Sequence, residues 1–272
     1  MPVGHYENFP VASLLLPKKL RPAVEAIYTF ARTADDLADE GNAQPDERIA
    51  SLAQFETELD RIAAGNPSPH PIFHKLSQVI ASHCLPFEPF YHLLSAFRQD
   101  VVVTRYDNFA MVLDYCARSA NPVGRLMLAL YGVSGTHQIA QSDSICSALQ
   151  LINFLQDVEI DWRKDRIYLP LDDMQLFGVT PHHLIEQRVD AAWCNLMKFE
   201  VARARALLLS GGPLALQLPG RIGWELRLVV QGGLRILDRI EVGNYDVFKS
   251  RPKLVAADWC CMAWRAVFMH RH

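Results

Sequence analysis

The stretch Asn153-Phe-Leu-Gln-Asp157-Val-Glu-Ile-Asp161 places three oxygen-bearing side chains at positions i, i+4 and i+8. A second stretch, Asp35-Asp-Leu-Ala-Asp39, has two carboxylates at the same four-residue step. If both stretches are helical, each presents its oxygens along one helical face. Like charges at that spacing destabilise a helix by about 0.2–0.5 kcal/mol per pair. The pattern therefore favours a cation bound between the acids.

A hard divalent ion accounts for this choice of side chains. Mg²⁺ binds carboxylate and amide oxygens and shares them with substrate phosphates. An amide such as that of Asn153, which lies in an apolar run, is costly to bury without a partner. A solvated helix face is the alternative explanation for either acidic run taken alone. The predicted metal ligands are Asp35, Asp39, Asn153, Asp157 and Asp161.

Composition excludes several classes of protein. The chain has 272 residues, of which 50% are hydrophobic, and a net charge of −3, which argues against nucleic acid as a partner. The six cysteines form no Cys-x-x-Cys pair, and the start of the chain does not resemble a secretory leader. No apolar run reaches the length of about 18 residues that a membrane-spanning helix needs. We expect a soluble cytoplasmic protein, with peripheral contact at the inner face of the membrane left open.

Apolar residues recur at three- and four-residue steps, as in amphipathic helices. Alternating strand patterns are nearly absent, so we predict one all-α domain over residues 1–272. The pair Gly232-Gly233 is unusual inside a helix; a kink, a close ligand or helix packing would explain it. The predicted helices cover about 17–41, 45–62, 70–82, 87–98, 107–118, 121–132, 136–161, 189–209, 221–242 and 253–268, with an irregular connection over 170–181.

Basic residues follow the second acidic stretch. Arg163, Lys164 and Arg166 would neutralise a leaving diphosphate, and arginine suits bidentate contact with phosphate. A charged helix end is the alternative for Lys164. Asp100, which lies between two arginines, is interpreted as part of a solvated patch. The sequence has no Glu-x-x-His, His-Glu-x-x-His, Gly-x-Gly-x-x-Gly or Walker motif.

Five motifs, in order along nearly the whole chain, resemble those of the squalene/phytoene synthase family. They are Asn8-Phe9 with Leu15-Leu16-Pro17; Tyr28, Arg32, Asp35, Asp36 and Asp39; Tyr115-Cys116 with Val123-Gly124; Gln150, Asn153, Asp157 and Asp161; and Arg166, Tyr168, Leu169 and Pro170. The resemblance implies an isoprenoid-synthase-type helical bundle with a central active-site cavity. It also implies Mg²⁺ as the cofactor and a prenyl diphosphate as the substrate.

The resemblance also implies roles for individual residues. The expected catalytic residues are Asp35, Asp39, Asp157, Asp161, Tyr28 and Tyr115. The expected substrate-binding residues are His5, Asn8, Phe9, Arg32, Val123, Gly124, Gln150, Asn153, Arg166 and Tyr168. Arg32 and Arg166 would grip the diphosphate, and aromatic faces would stabilise a carbocation, although each aromatic residue is equally plausible as ordinary core. The expected lining of a hydrocarbon tunnel is Val123, Leu126, Leu130, Leu151 and Phe154.

Within the family, residues 5–17 and 119–124 are most similar to bacterial hydroxysqualene synthases of the hopanoid route. That branch implies ionisation of presqualene diphosphate, rearrangement and capture by water without a reductant, with hand-over to partner enzymes of the pathway. Asn8, Asn121-Pro122 and Gln156 depart from the wider family pattern. The alternatives are head-to-head condensation of two prenyl diphosphates, a class I terpene cyclase, and a helical binding protein that has lost the chemistry.

Overall fold

The computed structural model describes residues 16–66 and 68–269, and within them it consists of helices joined by short connections. The helices are α1 (Arg21–Asp39), α2 (Pro45–Ala63), α3 (Pro71–His83), α4 (Glu88–Val102), α5 (Phe109–Ser119), α6 (Asn121–Leu130), α7 (Thr136–Gln156), α8 (Val158–Arg163), α9 (Leu171–Leu176), α10 (Pro181–Ile185), α11 (Ala191–Gly211), α12 (Leu214–Gln217), α13 (Gly220–Val242) and α14 (Ala256–Val267).

The all-α prediction is confirmed. Extended pairing in the described ranges is limited to one isolated parallel bridge between Arg105 and Ile167. The bridge is part of a longer backbone contact, since the Leu171 N–H donates to the Tyr106 carbonyl at 3.0 Å. This contact holds the chain after α8 against the connection between α4 and α5. The extent of the domain, residues 1–272, stays a prediction.

Two apolar cores organise the helices. The first core contains residues of α1, α2, α3 and α4, together with Leu126 and Leu130 of α6. At its centre, several phenylalanine rings pack around Phe30. The second core is formed mainly by α5, α7, α11 and α13, and includes the fully buried Trp193. The helices α4, α5 and α6 pack against one another, and α5 and α6 also pack onto α7, which connects the two cores.

Most helix ends differ from the predictions by a few residues, and two regions differ by more. The predicted helix over 136–161 ends at Gln156, and a separate short helix follows. The connection over 170–181, predicted to be irregular, contains the short helix α9, and α10 begins at its end, at Pro181. In the described part of the chain, no helix is both long and apolar enough to cross a bilayer.

The Gly232-Gly233 pair is explained by helix packing. A Cβ added to Gly233 would lie 2.8 Å from Leu208 and 3.0 Å from Leu149, so this glycine lets α13 approach α11 and α7 closely. A Cβ on Gly232 would meet only the ends of two side chains, at 3.3 and 3.7 Å. Close packing of α13 therefore depends on Gly233 more than on Gly232.

Candidate active site

The first acidic cluster occupies one side of α1. The Arg32 guanidinium lies 3.1 Å from Asp35 Oδ2 and 2.8 Å from Asp36 Oδ1. Phe30, on the other side of the helix, is fully buried in the first core. This amphipathic pattern orients the helix so that Asp35 and Asp39 face away from that core.

The second cluster keeps its helical register across the break at Asp157. The Asp157 backbone has a ψ of 13°, which separates α7 from α8. The Asp157 N–H nevertheless donates to the Asn153 carbonyl at 2.9 Å, and the Asp161 N–H donates to the Asp157 carbonyl at 2.8 Å. The prediction of one continuous helix was wrong, but the four-residue spacing of the three side chains survives because the hydrogen-bond ladder continues.

Two cations that follow α8 reach the first cluster. Lys164 Nζ lies 2.5 Å from Asp39 Oδ2, and Arg166 Nη2 lies 3.0 Å from Asp39 Oδ1. Burial, the charge of Asp157 and the charge of Asp39 all contribute to raising the pKa of Asp161 to about 7. The two acidic clusters therefore lie on one common surface, although well over a hundred residues separate them in sequence.

The pKa values of Asp35 and Asp39, two carboxylates of α1, are shifted in opposite directions. Burial raises the pKa of Asp35 to about 6, and Asp39 and Asp36 add to the effect while Arg32 opposes it. At Asp39 burial also acts upward, but the hydrogen bond from Lys164 and the charge of Arg166 bring its pKa below the usual value. Asp39 therefore has two cationic side chains in contact with it, and Asp35 has one.

Arg251 is a site residue that the sequence patterns do not indicate. It lies on the connection between α13 and α14, and its guanidinium donates to both carboxylate oxygens of Asp157. It also donates to Asn153 Oδ1 at 3.3 Å. The Gln156 side chain donates a hydrogen bond to the Pro252 carbonyl, and this bond holds the same connection in place. Gln156, where the wider family pattern has an arginine, therefore has a structural role here.

Asp100 is a second residue that sequence reasoning misplaced. It was interpreted as part of a solvated patch, but the residue is only 8% exposed and accepts a 2.8 Å hydrogen bond from the Tyr115 hydroxyl. Burial raises the pKa of Asp100 to about 7, against the lowering effect of that hydrogen bond. Arg166 donates to the Asp100 carbonyl at 3.0 Å, which ties α4 to the acidic site.

An aromatic cluster adjoins the acids. The rings of Phe154 and Tyr168 stack with centroids 3.8 Å apart, and Tyr115 lies 5.8 Å from Tyr168. Two cavities share this stacked pair as part of their lining. One is also lined by Asp161 and Arg166. The other is mainly apolar. The acidic site therefore borders an aromatic and apolar interior.

Two predicted residues, Val123 and Gly124, have other places in the structure. Val123 is 45% exposed and does not line either of the two cavities. Gly124 lets α6 approach α7, since a Cβ there would lie 2.5 Å from Ser142 Oγ. Gln150 and Tyr28 are half-buried one turn before Asn153 and Arg32, respectively. Their roles stay predictions.

Of the other predicted residues, the structure places some at the site and some elsewhere. Leu126 and Leu130 lie in the first core, whereas Leu151 and Phe154 line a cavity. Arg163 pairs with its neighbour Glu159 rather than with the acids of the site. The predicted contacts of His5, Asn8 and Phe9 lie outside the described residues.

The donor set fits magnesium of the kind that a phosphorylated substrate brings with it. Within residues 16–66 and 68–269, no three Asp, Glu, His or Cys side chains gather closely enough to hold an ion by themselves. Mg²⁺ is usually held by one or two carboxylates together with substrate phosphates and water. Burial, with a smaller contribution from neighbouring carboxylates, raises the pKa of Asp35 and of Asp161, and a bound cation would counter that effect. Magnesium binding stays a prediction.

Asn121, another departure from the family pattern, is buried and accepts a hydrogen bond of 2.8 Å from Ser147 Oγ. It therefore joins the start of α6 to α7. The same α6–α7 contact contains Gly124, so the segment after α5 has a packing function in this chain.

Comparisons with known proteins agree with this geometry. The family model described as squalene/phytoene synthase matches residues 3–258. A hydroxysqualene synthase of Rhodopseudomonas palustris is 35% identical over 237 residues, which cover 86% of this chain and 80% of the relative. A phytoene synthase of Arthrospira platensis is 32% identical over 258 residues, covering 90% and 83%.

A solved structure shows the same architecture. The crystal structure of squalene synthase HpnC from Alicyclobacillus acidocaldarius is similar with a TM-score of 0.83 and 39% identity. The likeness covers 89% of this chain and 90% of that one. The helical-bundle prediction is confirmed, and the chain belongs to the squalene/phytoene synthase family, whose members act on prenyl diphosphates.

Proposed function

We propose that this protein converts presqualene diphosphate to hydroxysqualene by a Mg²⁺-dependent lyase reaction in squalene and hopanoid biosynthesis. The observation that carries the proposal is the convergence of Lys164 and Arg166 on Asp39, which brings the two acidic clusters together. The similarity of the protein to a hydroxysqualene synthase, over 86% of the chain, supports this choice of reaction.

Departure of the diphosphate is the first step of the proposal. Positive charge placed where negative charge develops lowers the barrier to such a departure. Lys164, Arg166 and Arg251 supply that charge from the second half of the chain, and Arg32 supplies it from α1. Mg²⁺, held by Asp35, Asp39, Asn153, Asp157 and Asp161 when bound, would add positive charge to the leaving group.

Survival of the carbocation is the second step. A cation in an apolar, water-poor space rearranges before it is captured. The stacked rings of Phe154 and Tyr168 border the acids and present electron-rich faces of the kind that attract cations. Tyr115 packs beside them, and its hydroxyl is held by Asp100, which fixes the ring.

Product analysis tests the proposal. Purified enzyme with Mg²⁺ and presqualene diphosphate, without NADPH, should release diphosphate and yield a C30 alcohol detectable by mass spectrometry. Squalene or phytoene as the main product would contradict the assignment. Asp35→Asn in the same assay controls for non-enzymatic breakdown of the substrate.

Head-to-head condensation of two prenyl diphosphates is the second candidate. The phytoene synthase of Arthrospira platensis matches 90% of this chain and favours it. Farnesyl diphosphate offered alone separates the two reactions. A condensing transferase would consume it and form presqualene diphosphate or a phytoene-type product, whereas an enzyme confined to the second step should leave it unchanged.

A further inference from the structure

Arg251 contacts oxygens that the predicted metal site needs. Its guanidinium donates to both carboxylate oxygens of Asp157 and, at 3.3 Å, to Asn153 Oδ1. Asn153 and Asp157 are two of the predicted metal ligands, and they lie one turn apart at the junction of α7 and α8. Each of these oxygens therefore already accepts a hydrogen bond from a cation. A second cation at the same oxygens would lie close to the guanidinium and be repelled by it.

The ion pair between Arg251 and Asp157 is largely shielded from solvent. The two side chains are 20% and 13% exposed, respectively. Paired hydrogen bonds between a guanidinium and a carboxylate are among the stronger polar contacts in proteins, and salt screens a partly buried pair much less than an exposed one. A divalent ion can therefore use the Asp157 oxygens only after the guanidinium has withdrawn.

The backbone around Arg251 is fixed beside the acidic site by other contacts. The Gln156 side chain donates to the carbonyl of Pro252, the next residue. Further along the chain, Asp258 is 1% exposed and accepts a hydrogen bond of 2.7 Å from the Val255 N–H. The guanidinium can thus change its partner by rotation of its long side chain, while the backbone of Arg251 stays beside the site.

We infer that Arg251 is an internal counter-ion that keeps divalent metal off Asn153 and Asp157 until a diphosphate arrives. This inference rests on the proposed function, in which metal and diphosphate share the site. Phosphate oxygens offer the guanidinium the same two-bond pairing as Asp157, and they also complete the ligand set of Mg²⁺. Substrate and metal would therefore enter together, and the substrate-free enzyme would bind metal weakly.

A purely structural role for the ion pair predicts a different result. Removing one partner of a largely buried pair destabilises a protein whatever the function of the pair. A loss of stability or of activity would therefore not separate the two roles. A counter-ion that competes with metal has one further consequence, because its removal should strengthen metal binding.

The test is Mn²⁺ binding to the substrate-free protein, measured by electron paramagnetic resonance of the unbound ion. Arg251→Gln should bind Mn²⁺ more tightly than wild type by about tenfold or more, because hydrogen bonds to charged groups contribute at least that factor. Arg251→Lys keeps the charge but loses the paired geometry, so it should show a smaller gain. No gain in Arg251→Gln would overturn the inference; if that variant does not fold, Arg251→Lys decides in the same way.

Two control variants locate the effect. Arg163→Gln removes the same charge from α8, but Arg163 is 73% exposed and pairs with Glu159, so its Mn²⁺ affinity should equal that of wild type. The double variant Arg251→Gln, Asp157→Asn should lose the gain, because the released carboxylate is then absent. An equal gain in Arg163→Gln, or a gain that persists in the double variant, would contradict the competition.

Inorganic diphosphate separates this inference from the proposed function. Added to wild type, it should strengthen Mn²⁺ binding and reduce the difference from Arg251→Gln, since the guanidinium has then left Asp157. Mn²⁺ binding by wild type with diphosphate, but no gain in Arg251→Gln without it, would overturn only the role of Arg251. No Mn²⁺ binding by wild type in the presence of diphosphate would overturn the metal-dependent function as well.

Discussion

Asp35 and Asp39 lie one turn apart on the same helix, yet their pKa values shift in opposite directions. The difference comes from Lys164 and Arg166, which contact Asp39 from another part of the chain. A four-residue step in the sequence indicates that the two acids share a face. It does not indicate which of them is already neutralised, since that depends on tertiary contacts.

The same limit applies to the residues that the sequence did not reveal. Arg251 is 94 residues from Asp157, and no spacing rule connects them. Asp100 sits between Gln99 and Val101 in the sequence, next to arginines at 98 and 105 that suggested solvent. In the structure those arginines pair with Glu56 and Asp165, and Asp100 is buried. Predicting the burial of Asp100 would have required knowing which face of α4 packs against the rest of the protein.

Glu200, a buried residue of α11, gives a prediction about stability and pH. Its pKa rises from 4.5 to about 8 on folding, so the native state binds the proton more tightly than the unfolded state. The stability that this provides is complete below about pH 4.5 and is lost as pH rises through about 8. We expect the melting temperature of Glu200→Gln minus that of wild type to increase from pH 5 to pH 9. If differential scanning fluorimetry gives the same difference at every pH, the prediction is wrong.

At the scale of elements, apolar periodicity predicted every long helix because burial of one face determines most helices. Ends were predicted less well. The break between α7 and α8 falls at Asp157, where a backbone turn coincides with contacts from Arg251 and with the Gln156 tie to Pro252. Those partners come from the connection after α13, so the local sequence of residues 136–161 could not show the break.

Close helix packing gives a second prediction. A Cβ on Gly211, at the end of α11, would lie 2.5 Å from the Gln141 carbonyl oxygen and 3.0 Å from the Ile145 nitrogen. Backbone atoms of α7 cannot move aside as side chains can. We expect Gly211→Ala to lower the free energy of unfolding by about 1–3 kcal/mol, measured by urea denaturation.

Gly232→Ala is the matched control for that experiment. Its added methyl group would meet only the ends of the Met262 and Leu254 side chains, and alanine is the better helix former by about 1 kcal/mol. The variant should be as stable as wild type or slightly more so. Equal destabilisation by both alanines would show that these contacts do not control helix packing.

At the scale of the whole molecule, the acidic site lies at the junction of two cores. α1 carries Asp39 and packs in the first core, whereas α7 packs mainly in the second and carries Asn153 just before Asp157. The sequence predicted the helices and the pairing of the two clusters, the latter from their shared chemistry. It did not predict that the cluster partners would come from separate cores, because core membership depends on long-range packing.

Peripheral membrane contact stays a prediction, and α14 offers the surface for it. Trp259, Trp264 and Phe268 are 52%, 67% and 50% exposed, and tryptophan favours the membrane–water interface. We expect the protein to float with liposomes and the double variant Trp259→Ser, Trp264→Ser to remain at the bottom of the gradient. Val242→Ser, at an exposed position on α13, is the control. No flotation of the wild type would remove the prediction.

Diphosphate release by single-carboxylate variants tests most directly whether the two facing clusters form one ionisation site. With Mg²⁺ and presqualene diphosphate, Asp35→Asn and Asp157→Asn should each slow release by about 100-fold or more while the helical circular dichroism signal is retained. Asp165→Asn is the control, since that side chain is 79% exposed and its φ of 57° suits asparagine; it should release diphosphate at the wild-type rate. Wild-type rates in both Asp35→Asn and Asp157→Asn would contradict the account.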